Sequence, residues 1–203
     1  MAQKPDEARD IELAERLLSA GTQVVLRPFS KAEMRKGQTP DRKIFVGATL
    51  GGFCEIKSPR DDWLDQELEG AASFEIRGGI RIDPTFNRIG RQIEKAATQF
   101  DAVNRNHSLP NVLVCVNNAT ASNFGDLKET LTGEFHAASG ERFPTVKNVS
   151  EGRLKAARDK IDAFAWIDLK TGSLQGWLFN RANPDHVKAV CKMFGLNEAD
   201  IAE

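Results

Sequence analysis

Residues 111–118, NVLVCVNN, form an almost wholly apolar run that follows Pro110. A strand with no polar face does not lie against water. It reads as a central strand covered on both faces. Just before it, NRIGRQIEKAATQFDAVNRN (87–106) carries Ile89, Ile93, Ala96, Ala97, Phe100 and Val103 at helical spacing, so an amphipathic helix leads into the buried strand. Together these two segments demand layered α/β packing.

The other segments extend this frame. Residues 6–20 (DEARDIELAERLLSA) place Ile11, Ala14, Leu17 and Leu18 on one helical stripe, and Gly21 follows as a stop. QVVLRPF (23–29), RKIFVGATL (42–50) and GFCEIKSP (52–59) read as strands, the last two turning at Gly51-Gly52. Residues 59–87 interrupt the pattern with an acidic stretch, Asp61, Asp62, Asp65, Glu67 and Glu69 against Arg60, and a short hairpin expected at Gly78-Gly79. Beyond 118 come a mixed segment, a helix at 152–162, two strands flanking Lys170-Thr171-Gly172, and a closing helix over 184–196 with Pro184 near its start and Gly195 near its end. The expected class is therefore α/β: helix, three antiparallel strands, insertion, helix, strand, then a C-terminal helix-hairpin-helix extension.

At 203 residues and 40% apolar content, one domain over 1–203 is expected, with a core at about 6–118, an insertion at 59–87 and an extension at 119–203. A net charge of −1 excludes a bulk polycation, so nucleic-acid binding would need local basic patches. There is no run of 18 apolar residues for a membrane span, and the polar N-terminus MAQKPDEARDIELAERLL is unlike a secretory signal. Cys54, Cys115 and Cys191 are odd in number and lack metal-ligand spacing, which fits reduced thiols and a cytoplasmic location.

The chemistry concentrates at Pro40-Asp41 and Glu55-Ile56-Lys57. Acid-x-Lys is common by chance, and Asp41-Lys43, Asp126-Lys128 and Asp168-Lys170 also spell it. Context separates them. Glu55 and Lys57 lie two apart on one strand and share a side. Asp41 opens the preceding strand, and antiparallel pairing can return it to Glu55. Two carboxylates and an ammonium at one sheet end suit a hard divalent cation and a phosphate. Asp168-Lys170 has no such upstream partner and reads as hairpin surface.

Thr39-Pro40-Asp41 followed by GGFCEIKSP resembles the PD-(D/E)xK, restriction-endonuclease-like nucleases, whose core runs helix, three antiparallel strands, helix, strand. That resemblance implies a Mg²⁺- (or Mn²⁺-) dependent hydrolase cutting DNA. It implies Asp41 and Glu55 as metal ligands, the Ile56 carbonyl as a further ligand and Lys57 at the attacking water. It also implies an acid from the first helix, here Asp10 first, then Glu12, with Glu15 and Glu7 open. Gln92 and Lys95, with Arg88 and Arg91, match loosely the polar residues that such nucleases place on the second helix. Members that cut both strands commonly work as dimers, so a homodimer is among the implied states.

Residues 27–43 carry a net +4 from Arg27, Lys31, Arg35, Lys36, Arg42 and Lys43 against Glu33 and Asp41, and are the expected DNA-backbone contact. A solvated loop is the alternative there, and a solvated helix face is the alternative for Arg88, Arg91 and Lys95. A second functional class is a catalytically inactive module on this fold, binding nucleic acid or a protein. His107, His136 and His186 stand in unrelated contexts, and Trp63, Trp166 and Trp177 read as packing. No GxxxxGK[ST], GxSxG or HExxH is present.

Overall fold

A computed structural model of the chain describes residues 5–59, 84–120, 122–137, 139–144 and 154–197. The acidic stretch at 61–69, Trp63 and the hairpin expected at Gly78-Gly79 lie outside these residues. The elements follow the expected order. Helix α1 (Pro5–Ser19) precedes β1 (Val24–Pro28), the short α2 (Lys31–Met34), β2 (Arg42–Val46) and β3 (Thr49–Lys57). Then come α3 (Pro84–Val103), β4 (Asn111–Asn117), α4 (Phe124–Thr132) and the small ribbon β5 (Glu134–His136) and β6 (Arg142–Pro144). A helical turn at 154–158 leads to β7 (Ala163–Asp168), β8 (Ser173–Phe179) and α5 (Pro184–Phe194).

Six strands form one mixed sheet in the order β1-β2-β3-β4-β7-β8. The edges β1-β2-β3 and β7-β8 pair antiparallel, and β3, β4 and β7 run parallel through the centre. All seven residues of β4 are buried, as its apolar run requires. Helices cover both faces. Ile11, Ala14 and Leu18 of α1 and Val190 and Phe194 of α5 pack on Cys54, Ile56, Val112 and Val114. Ile89, Ile93, Ala96 and Phe100 of α3 pack on Phe53, Leu113, Cys115 and Trp166, with Leu127 and Leu131 of α4 beside them. Each fully buried aliphatic or aromatic side chain contributes about 1.5–3 kcal/mol, so the two helical layers hold the sheet between them. All three cysteines are free and buried.

Three boundaries differ from the sequence expectation. The helix expected over 152–162 is helical among the described residues only at 154–158, so Asp162 falls in the bend before β7. The helix α3 stops at Val103 because Asn104 turns the chain: its Oδ1 accepts the Ser108 N–H (3.0 Å), and its Nδ2 donates to the Leu109 carbonyl (2.7 Å). The β2–β3 turn falls at Gly47-Ala48, where Gly47 has φ +61°, and not at Gly51-Gly52. Those two glycines lie inside β3, where the Met193 side chain crowds Gly51 and backbone crowds Gly52. A Cβ on Gly52 would sit 2.6 Å from the Pro110 carbonyl oxygen, which itself accepts the Phe53 N–H at 2.9 Å. Close backbone approach is a standing reason for glycine within a strand. Gly52→Ala is therefore expected to cost about 1–3 kcal/mol by prising β3 from the start of β4. A urea midpoint equal to that of the wild type would remove this reading of Gly52.

Candidate functional site

The antiparallel register of β2 and β3 places Arg42 opposite Cys54, so Asp41 arrives beside Glu55. The Asp41 N–H donates to Glu55 Oε2 (2.8 Å), and the Ile56 N–H donates back to Asp41 Oδ2 (2.9 Å). Lys57 Nζ pairs with Glu55 Oε1. Glu55 and Lys57 alternate with Cys54 and Ile56 and share the register of Leu113 and Cys115, so they face the α3 side of the sheet. Glu55 is completely buried, whereas the Lys57 side chain is 20% exposed. This is not a solvated charge pair.

Burial pushes the Glu55 carboxyl up to about 7, and the neighbouring Asp41 adds to that rise; Lys57 opposes it. Desolvation also pushes the adjacent Cys115 thiol up to about 12, although Lys57 pulls the other way. The cluster therefore holds more buried negative charge than Lys57 alone compensates.

The first-helix acids separate clearly. Asp10 is buried, accepts a hydrogen bond from Ser58 Oγ and meets Arg9 Nη2 at 3.4 Å. Ser58 directly follows Lys57, so Asp10 stands at the same end of β3 as the cluster. Glu12 is exposed and Glu15 is paired with Arg42 Nε. On α3, Gln99 Nε2 donates to the Thr39 carbonyl (3.0 Å), two residues before Asp41. Gln92 and Lys95 lie at i−7 and i−4 from Gln99, on the same helical stripe. Arg91 is exposed, its Nε donating to the Asn87 carbonyl at 3.2 Å, and Arg88 is half-buried.

Within the basic segment, Lys31, Arg35 and Lys36 are exposed on α2 and its C-terminal turn. Arg42 and Lys43 are engaged inside the molecule. Arg42 also donates to the Asp41 carbonyl (2.8 Å). Lys43 bonds Glu33 (2.8 Å), holding that carboxyl down at about 2, and sits 5.0 Å over the Phe29 ring. Its charge is thus partly neutralised before any ligand arrives.

A second cluster escaped the sequence reading. His107 Nε2 lies 2.8 Å from Asp162 Oδ2, and His186 Nδ1 lies 3.1 Å from Asp162 Oδ1. The three ligand atoms fall within 4.8 Å of one another, so the cluster is able to coordinate a metal ion. Among the described residues no other histidine, cysteine or carboxylate group of three is this close. Asp162 is buried and immediately precedes β7; His107 precedes β4; His186 lies in the first turn of α5. Because β4 and β7 are parallel, their starting residues share one end of the sheet. The signal available in sequence was positional: each residue flanks the start of an element. His107 also has φ +47°, a left-handed conformation costing a non-glycine residue roughly 1–2 kcal/mol.

No protein-family profile, curated protein or solved structure matches this chain. Among the described residues no helix is long and apolar enough to cross a membrane.

Proposed function

We propose that the chain is a Mg²⁺-dependent phosphodiesterase of the PD-(D/E)xK type, acting on DNA as a single domain over 1–203, with homodimerisation as its route to cutting both strands. The observation that carries this reading is Glu55, fully buried, ion-paired to Lys57 and joined to Asp41 across two strands. A structural cross-strand pair has no reason to be buried with a third charge beside it, since burying charge is costly unless something compensates it.

The donor set fits a hard cation. Two carboxylates and the Ile56 carbonyl are all-oxygen ligands, the preference of Mg²⁺ and Mn²⁺. A bound divalent ion polarises the scissile phosphate and lowers the pKa of coordinated water. The remaining work belongs to side chains. Lys57, partly open to solvent, positions the attacking water and steadies negative charge on the phosphoryl oxygens. Gln92 and Lys95 line the approach from α3, and Asp10 supports the outer end of β3 through Ser58. Lys31, Arg35 and Lys36, with Arg88 and Arg91, meet the DNA backbone, and Arg42 and Lys43 shape that surface more than they bind it.

Calorimetric titration with Mg²⁺, paired with a plasmid and oligonucleotide cleavage assay, tests the reading. One millimolar-or-tighter site that is lost in Asp41→Ala, together with metal-dependent cleavage, is expected. Metal binding without any cleavage of DNA would leave an inactive module on this fold and end the enzyme assignment.

A further inference from the structure

We propose that His107, Asp162 and His186 hold a zinc-class transition-metal ion, distinct from the hard cation of the carboxylate cluster, and that this ion fastens the C-terminal helix to both layers of the fold. Two imidazoles and one carboxylate are the ligands of Zn²⁺ and its first-row neighbours, whereas Mg²⁺ favours oxygen alone. The two sites therefore call for different ions.

The geometry is nearly assembled. Bonds of about 2.0–2.2 Å to a tetrahedral ion require ligand atoms roughly 3.3–3.6 Å apart. His107 Nε2 stands 2.8 Å from one Asp162 carboxylate oxygen and His186 Nδ1 stands 3.1 Å from the other, and one ligand atom from each residue lies within 4.8 Å of the other two. Small rotations of the two rings admit the ion. The proton each ring shares with the carboxylate then moves to the other ring nitrogen or to water.

The carboxylate between the rings is fixed from behind. The Asn111 N–H donates to Asp162 Oδ2 (2.8 Å), and Asp162 is tied by its own backbone to Asn111 (2.9 Å) and to Asn180 (2.9 Å). The Asn111 side chain bonds the Lys160 carbonyl (2.8 Å) and receives Asn104 Nδ2 (3.0 Å). Asn104 also shapes the turn that presents His107 in its left-handed conformation. A ligand supported by such outer hydrogen bonds is held ready for an ion. The His107 and His186 side chains are 24% and 13% exposed against 1% for Asp162, so the cluster opens to solvent on the imidazole side, where water completes the coordination.

Position gives the ion its role. His107 follows α3, which packs on one face of the sheet, and His186 belongs to α5, which packs on the other. Asp162 immediately precedes β7, a strand of the sheet between them. An ion shared by the three joins both helical layers to the end of the parallel core.

The test uses the full-length chain stripped of metal and then held in millimolar Mg²⁺, which saturates any hard-cation site. One equivalent of Co²⁺ is expected to bind per chain with the visible bands of a four-coordinate nitrogen–oxygen centre, to be displaced by Zn²⁺, and to raise the melting temperature. His107→Gln and His186→Gln are each expected to weaken Co²⁺ binding by at least ~100-fold. His136→Gln and Glu55→Gln are expected to leave it intact. The Glu55 variant separates this site from the proposed nuclease centre, since its failure there leaves Co²⁺ binding here untouched. No stoichiometric Co²⁺ in the wild type, or binding that survives both the His107 and His186 substitutions, overturns the proposal and leaves a metal-free hydrogen-bonded clamp.

Discussion

Replacing Lys57 by alanine is expected to slow metal-dependent DNA cleavage by at least ~10³-fold while the fold and the cation site persist. The side chain is 20% exposed and, among the described residues, pairs with Glu55, so its removal opens little core. What changes is charge. Without the ammonium, Glu55 loses the charge that opposes burial and the Asp41 carboxylate, keeps only the Asp41 N–H hydrogen bond against them, and takes up a proton more readily. Some loss at neutral pH would then come from a protonated ligand and not from a missing catalytic group. Measuring single turnovers at saturating Mg²⁺ and at pH 9 separates the two, because high pH and the bound cation both favour the ionised Glu55 carboxylate. A residual rate within tenfold of wild type under those conditions removes Lys57 from the mechanism.

The parts of this site that were legible in sequence are those set by local rules. Antiparallel pairing of neighbouring strands carries Asp41 to Glu55, and the period of two puts Glu55 and Lys57 on one side. The all-apolar run at 111–117 announced its own burial and, with it, helices on both faces. Glycine was ambiguous because it serves two purposes. Gly47 takes a positive φ in the turn, whereas Gly51 and Gly52 make room for neighbours inside β3, and the sequence spells both alike. Burial of Glu55 was also hidden, since the alternation of a strand does not say which face a helix will cover. The His107–Asp162–His186 cluster depends on the parallel pairing of β4 with β7 and on where α5 returns. Separations of 55 and 24 residues leave no local trace of such a meeting.

Glu55→Gln carries the second large expectation, because it acts on stability and on cleavage with opposite signs. In the unfolded chain this carboxyl ionises near 4.5; in the fold it holds its proton to about 7. Between those values the unfolded state has already released the proton and the native state has not, so stability falls as pH rises. The contribution is full below pH 4.5 and is lost by the time pH passes 7, a decline of roughly 3 kcal/mol at most from this one group. Glutamine does not titrate, yet it still offers an oxygen to the Asp41 N–H. Denaturation of the two metal-free proteins across pH 4–8 should therefore show the variant gaining on the wild type as pH rises. Mg²⁺ should narrow that difference at pH 8 by stabilising only the wild-type carboxylate, as any ligand selective for the native state does. Cleavage by the wild type should rise with pH through about 7 as Glu55 becomes available to the ion, and cleavage by Glu55→Gln should be absent throughout. Parallel stability curves for the two proteins would show that Glu55 is not held protonated by its surroundings, and the buried excess of negative charge that motivates a cation at this site would go with it.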